Sequence, residues 1–158
     1  MAGMASRPPS VPPLTPDEEA FWRAFLRAVV VVPRVLFTEL EQAERLGGSE
    51  YAVLVALSEA KGRRLRMSDL ASVLAMSISG MTRIVDRLAK DGLVERVRDD
   101  EDTRMVIAVL TDAGLRRLKR AYPVHLAGVR RSVLDHLDGF DLSALAKAFE
   151  RFGDRGEH

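Results

Sequence analysis

The sequence predicts a mainly α-helical chain carrying one small β-hairpin, formally α+β, and three observations lead there. Two long stretches, residues 15–46 and 111–137, repeat apolar side chains at helical spacing. Only two short runs, 93–98 and 105–110, are rich in Val and Ile with alternating polar residues, as strands are. With 158 residues, 47% of them hydrophobic and 30% charged, the chain can bury one real core but is too short for most doubly wound enzymes or a (β/α)8 barrel.

The elements follow in order. Residues 1–14 carry Pro8, Pro9, Pro12 and Pro13 among Ser and Arg, a composition that favours extended chain and reads as a disordered arm. Thr15-Pro16-Asp17-Glu18 then opens a helix with an N-cap, a proline at the first position and a capping-box acid. Its apolar residues, Phe21, Trp22, Phe25, Leu26, Val29, Val32, Leu36 and Leu40, exceed one stripe, so this helix is expected to bury two faces, with a kink at Pro33. Gly47-Gly48 should end it and Ser49 cap the next, which carries Tyr51, Leu54, Val55 and Leu57. Residues 61–64 read as a basic turn. A short helix over 68–74 and another over 79–90 follow, the latter burying Met81, Ile84, Val85 and Leu88.

Between the strands, residues 99–104 form a polar hairpin loop. Thr111 caps a fifth helix, in which Leu115, Leu118, Tyr122, Leu126, Val129, Val133 and Leu137 keep a heptad-like spacing that calls for a partner helix. Asp141 caps a sixth, with Leu142, Leu145, Phe149 and Phe152 on one face, and residues 154–158 form a frayed tail.

Several function classes are excluded by what is missing. Without cysteine there is no disulfide framework, thiolate zinc site or nucleophilic thiol. His125, His136 and His158 are too dispersed to suggest a metal site, and no nucleophile elbow or phosphate-binding glycine loop occurs, so neither cofactor nor enzyme is expected. The longest apolar run, residues 28–32, is far short of a membrane span, and no export signal opens the chain; a cytoplasmic protein is expected.

Two short helices and a hairpin make a winged helix-turn-helix, whose second helix enters the DNA major groove. The residues fit that role. Ser77 and Ser79 offer hydroxyls and helix-terminal amides to phosphate, Gly80 permits close backbone approach, and Thr82, Arg83 and Arg87 line the polar face. Ser68, at the start of the preceding helix, and Arg98, on the hairpin, join the candidate set. A solvated helix face with ordinary caps is the structural alternative.

The run from Met67 to Gly114 resembles the DNA-binding core of the MarR family of bacterial transcription regulators. Thr82-Arg83, Val85 to Leu88, Gly92-Leu93-Val94-Glu95-Arg96, Asp102-Thr103-Arg104 and Leu110-Thr111 with Gly114 carry the likeness. It implies a homodimer built from the first, fifth and sixth helices, with two winged lobes on a pseudo-palindromic operator. The implied division is arm 1–14, dimerisation helix 15–46, winged domain 47–111, dimerisation helices 112–153 and tail 154–158. Arg104 would enter the minor groove, positioned by Asp102, which is expected to pair with Arg83 or Arg87, while Asp99 to Glu101 form a solvated turn.

The resemblance further implies a small aromatic or phenolic ligand in a cleft. Trp22, Phe25, Arg27, Tyr51 and Tyr122 are the candidates, with Arg116 and His125 nearby and Glu50 disfavouring an anion; the alternative is that the aromatic residues are packing. Two functional readings stay open: a ligand-released repressor, and a winged-helix dimer that acts on a protein partner instead of DNA.

Overall fold

A computed structural model describes residues 11–99 and 104–152; most of the expected arm, the tail and Asp102 lie outside them. Helix α1 (Pro16–Glu44) starts as its capping box dictates. The Glu18 amide donates to Thr15 Oγ1, and the Thr15 amide to the Glu18 carboxylate at 2.8 Å, a bond that holds that carboxyl below its usual range. The helix continues through Pro33 and stops earlier than the Gly-Gly pair suggests, because Arg45 takes a left-handed φ of 50°. Gly47 is therefore the N-cap of α2 (Gly48–Glu59), and Ser49 lies inside the helix it was expected to cap. Gly48 leaves room for α1, since a Cβ there would sit 2.1 Å from the Phe37 ring.

The basic turn proves to be a 3-10 turn, Lys61–Arg63, leading into a short strand β1 (Arg64–Arg66). Helices α3 (Met67–Val73) and α4 (Ile78–Lys90) follow. Strands β2 (Val94–Arg98) and β3 (Val106–Leu110) pair antiparallel, with Val94 opposite Leu110 and Arg98 opposite Val106. Because β1 pairs with the far side of β3, Leu65 opposite Ala108, the expected two-stranded hairpin is a three-stranded sheet in the order β1-β3-β2. Helix α5 (Asp112–Ser132) begins at the Thr111 cap. It ends where Val133 leaves helical geometry (φ −134°, ψ −65°) and a 3-10 turn, Leu134–His136, takes over. Apolar spacing persists across that change of helix type, so spacing alone overruns the helix end. Helix α6 (Leu142–Glu150) starts at Asp141, whose carboxylate accepts from the Ser143 and Ala144 amides.

The core lies where the end of α1, all of α2 to α4, the sheet and the first half of α5 converge, with Leu40, Leu54, Leu57, Leu70, Met81 and Leu88 fully buried. Each such side chain contributes roughly 1.5–3 kcal/mol of burial. Helix α4 hides the four residues its spacing predicts, so its polar face is held outward. The expected burial of two faces of α1 does not occur within one chain: only Leu36 and Leu40 are buried, while Phe21, Trp22, Leu26, Val29, Val30 and Val31 are exposed. Among the described residues no helix is long and apolar enough to cross a membrane.

Candidate nucleic-acid interface

Helix α4 starts one residue before its expected position, and the residues singled out there divide into those that build the helix and those that leave it. Ser77 is the N-cap, its Oγ accepting from the Gly80 amide at 3.2 Å, and Ser79 Oγ lies 3.3 Å from it. The glycine makes room for the cap, as a Cβ at position 80 would stand 3.1 Å from Ser77 Oγ. Thr82 turns its hydroxyl back onto the Ile78 carbonyl at 2.9 Å. Arg83 is exposed and makes no ion pair among the described residues. Arg87 is also exposed, but its Nε donates to Glu50 Oε1 at 3.0 Å across to α2.

The wing lies beside this helix. Arg96 and Arg98 share the sheet face that Val94 begins, and Arg96 pairs with Asp86 of α4, tying wing to helix. Ser68 donates to Asp69 at 3.3 Å at the start of α3. Ser68, Thr82, Arg66, Arg96 and Arg104 line one cleft of about 270 Å³ between α3, α4 and the wing. The expected partnership of Asp102 with Arg83 or Arg87 falls on an undescribed residue; the partner seen for Arg87 is Glu50.

Asp99 is not part of a solvated turn. It is 6% exposed, accepts from Arg66 Nε at 2.8 Å, and donates its amide to the Met105 carbonyl at 3.0 Å. A buried carboxylate needs such partners. It joins the end of β2 to β1 at the root of the wing. Sequence reading missed this role, along with those of Arg66, Arg96 and Glu50. The signal for Glu50 was present: an acid three residues after Gly47 stands at the capping-box position, and its Oε2 accepts from the Gly47 amide at 3.1 Å.

The proposed ligand residues separate into two places. Tyr51 and Tyr122 share a pocket of about 670 Å³ between α2 and α5, with Phe37, Val55, Leu118 and His125. The His125 ring lies 4.7 Å from that of Tyr51, its Nδ1 is buried without a hydrogen-bond partner among the described residues, and burial pushes its pKa down. Burial also pushes the Tyr51 phenol up, helped by Tyr122. Trp22 and Phe25 do not reach this pocket. They stack at 6.0 Å, and Phe25 meets Phe149 of α6 at 6.0 Å and Phe152, just beyond that helix, at 5.4 Å. Arg27 and Arg116 are exposed and line no part of it.

The profile of the MarR family matches residues 46–105, the span from the start of α2 to the wing. The chain is 35% identical to AbsC, a MarR family transcriptional regulator from Streptomyces coelicolor, covering 91% of this chain and 97% of that one with a TM-score of 0.82. Sco3205, a MarR family transcriptional regulator from the same organism solved in complex with DNA, is 30% identical, with 94% and 97% covered and a TM-score of 0.82. Among curated relatives, the transcriptional repressor YetL of Bacillus subtilis is 30% identical over 67% of this chain and 65% of its own length. The uncharacterised regulator YkoM of that organism is 32% identical over 53% of each. The matched stretch thus spans from about half to just under two thirds of these two curated relatives.

Proposed function

The chain belongs to the MarR family and is a DNA-binding transcriptional regulator rather than an enzyme, and on that footing we propose that it works as a homodimeric repressor in the cytoplasm, released by a small ligand. The observation that carries the reading is Arg83. It stands exposed on the outward face of α4, without an ion pair among the described residues, on the helix that begins at the Ser77 cap and lies beside a wing bearing Arg96, Arg98 and Arg104. Arg83 and Arg87 read base edges or phosphates in the major groove, and Arg104 enters the flanking minor groove. Ser68, Ser77, Ser79 and the backbone at Gly80 meet phosphates, Thr82 lies between them, and Asp102 orients Arg104.

The second copy covers apolar surface on α1 and flanking α6, where Phe21, Trp22, Val30, Phe140 and Phe152 are between 48% and 65% exposed, as apolar side chains at an interface are before the partner covers them. A two-fold dimer places its α4 helices on half-sites about one helical turn apart. Trp22 and Phe25 then belong to subunit packing. The pocket of Tyr51, Tyr122 and His125 suits a small, flat, largely apolar ligand.

The test is fluorescence anisotropy of the protein on the DNA upstream of its own gene, with excess competitor, at two salt concentrations, for wild type and Arg83→Ala. Tight, salt-sensitive binding that the variant loses and a phenolic compound reverses supports the repressor. Binding that any DNA competes away equally would move the function to a protein partner.

A further inference from the structure

The cations around α4 are in unequal electrostatic states. Arg83 is without an ion pair among the described residues, whereas Arg96 is paired with Asp86 and Arg87 with Glu50. The last pair differs from an ordinary surface contact because its acid is fixed from the far side. Glu50 Oε2 accepts from the Gly47 amide at 3.1 Å while Oε1 accepts from Arg87 Nε at 3.0 Å, so one carboxylate joins the start of α2 to the outward face of α4. Its side chain is 21% exposed and that of Arg87 60%. The bond uses only Nε, and the two terminal nitrogens of Arg87 make no hydrogen bond among the described residues.

We infer that Glu50 is a positioning residue of the DNA interface: it anchors Arg87 through Nε and cancels one positive charge of the reading surface, lowering affinity for arbitrary DNA relative to a fitted sequence. The inference rests on α4 being the helix that reads DNA. A guanidinium accompanied by a fixed carboxylate carries no net charge toward the phosphates, so it releases fewer counterions on contact and adds little sequence-independent affinity. Its side chain is already held, so less rotamer freedom is lost when the terminal nitrogens form a fork on a base. Both effects favour specific over non-specific binding.

Glu50→Gln in the full-length protein separates charge from structure, because the amide oxygen can still cap Gly47 while the charge is gone. The probe is a short mixed-sequence duplex titrated by anisotropy between about 50 and about 200 mM salt. The variant is expected to bind it more tightly than wild type at low salt. Its plot of log K against log salt should steepen by about 0.9 for each freed arginine on the duplex, about a 3.5-fold greater loss of affinity across that range. Adding Arg87→Ala should abolish the difference. Equal slopes for Glu50→Gln and wild type, with Arg83→Ala still weakening binding, would leave Glu50 a helix cap alone and overturn the inference while the α4 interface stands. Wild-type binding indifferent to Arg83→Ala would overturn both.

Discussion

Gly114 stands where the winged lobe meets α5, and replacing it with alanine tests how tightly that junction is built. A Cβ at this position would lie 2.1 Å from the carbonyl oxygen of Leu93 and 2.6 Å from Leu110 Cδ1, and the first of these is backbone that cannot swing aside. That oxygen also accepts from the Thr111 amide at 3.2 Å and from Thr111 Oγ1 at 3.0 Å, while the Thr111 hydroxyl caps Gly114 itself at 2.9 Å. Moving the Leu93 carbonyl far enough to relieve the contact weakens two bonds of about 1 kcal/mol each, on top of overpacking strain of roughly 1–3 kcal/mol. Alanine's better helix propensity returns about 1 kcal/mol. The net loss is roughly 2–4 kcal/mol, a large part of a total stability on the order of 5–15 kcal/mol. For a chain of this size that is a drop in Tm of roughly 4–16 °C. Thermal unfolding followed by circular dichroism at one fixed protein concentration reads it directly. A Tm for Gly114→Ala equal to or above that of wild type would refute the close packing of Leu93, Leu110 and Thr111 around the start of α5.

Three further outcomes follow from the same structure. Arg83→Ala should weaken operator binding by about 1–3 kcal/mol, roughly 5- to 150-fold in Kd by anisotropy, with an unchanged Tm because the side chain is exposed and makes no ion pair among the described residues. Ser77→Ala removes the acceptor for the Gly80 amide and should cost about 1 kcal/mol of stability, measured by denaturant unfolding, together with some loss of DNA affinity as the start of α4 frays. His125, pushed down by burial, binds its proton less readily in the folded chain than in the unfolded one, so stability is complete above about pH 6.5 and declines as pH falls below that value. Tm measured across that interval should fall more steeply in wild type than in His125→Phe, and parallel curves would place the titration elsewhere.

Much of the winged lobe was legible because its signals are local. The Thr15 capping box, the spacing of Met81, Ile84, Val85 and Leu88, the strand alternation and the Thr111 cap each need only a few neighbouring residues, and each recurs in the structure close to its expected place. Strand β1 was not legible, since Arg64-Leu65-Arg66 has one apolar residue and owes its conformation to pairing with β3 forty residues onward. The stop of α1 was misplaced for a similar reason. Gly47 and Gly48 look like a C-terminal signal, but Gly48 is required by the approach of Phe37, and the left-handed residue is Arg45.

What the sequence determined by itself is the set of helices, the outward polar face of α4 with Arg83 and Arg87, and the family likeness carried by the wing and Gly114. These follow from periodicity and capping, which act within a turn or two of chain. Tertiary structure alone decided which charges meet. Glu50 and Arg87 are distant in sequence, as are Arg66 and Asp99, and only the packing of α2 against α4, and of β1 beside the wing, makes one a held guanidinium and the other a buried carboxylate. The same packing put Tyr51, Tyr122 and His125 around one pocket and sent Phe25, with Trp22 stacked on it, to α6, because side chains of equal hydrophobicity are distinguished only by the surfaces their helices bring together.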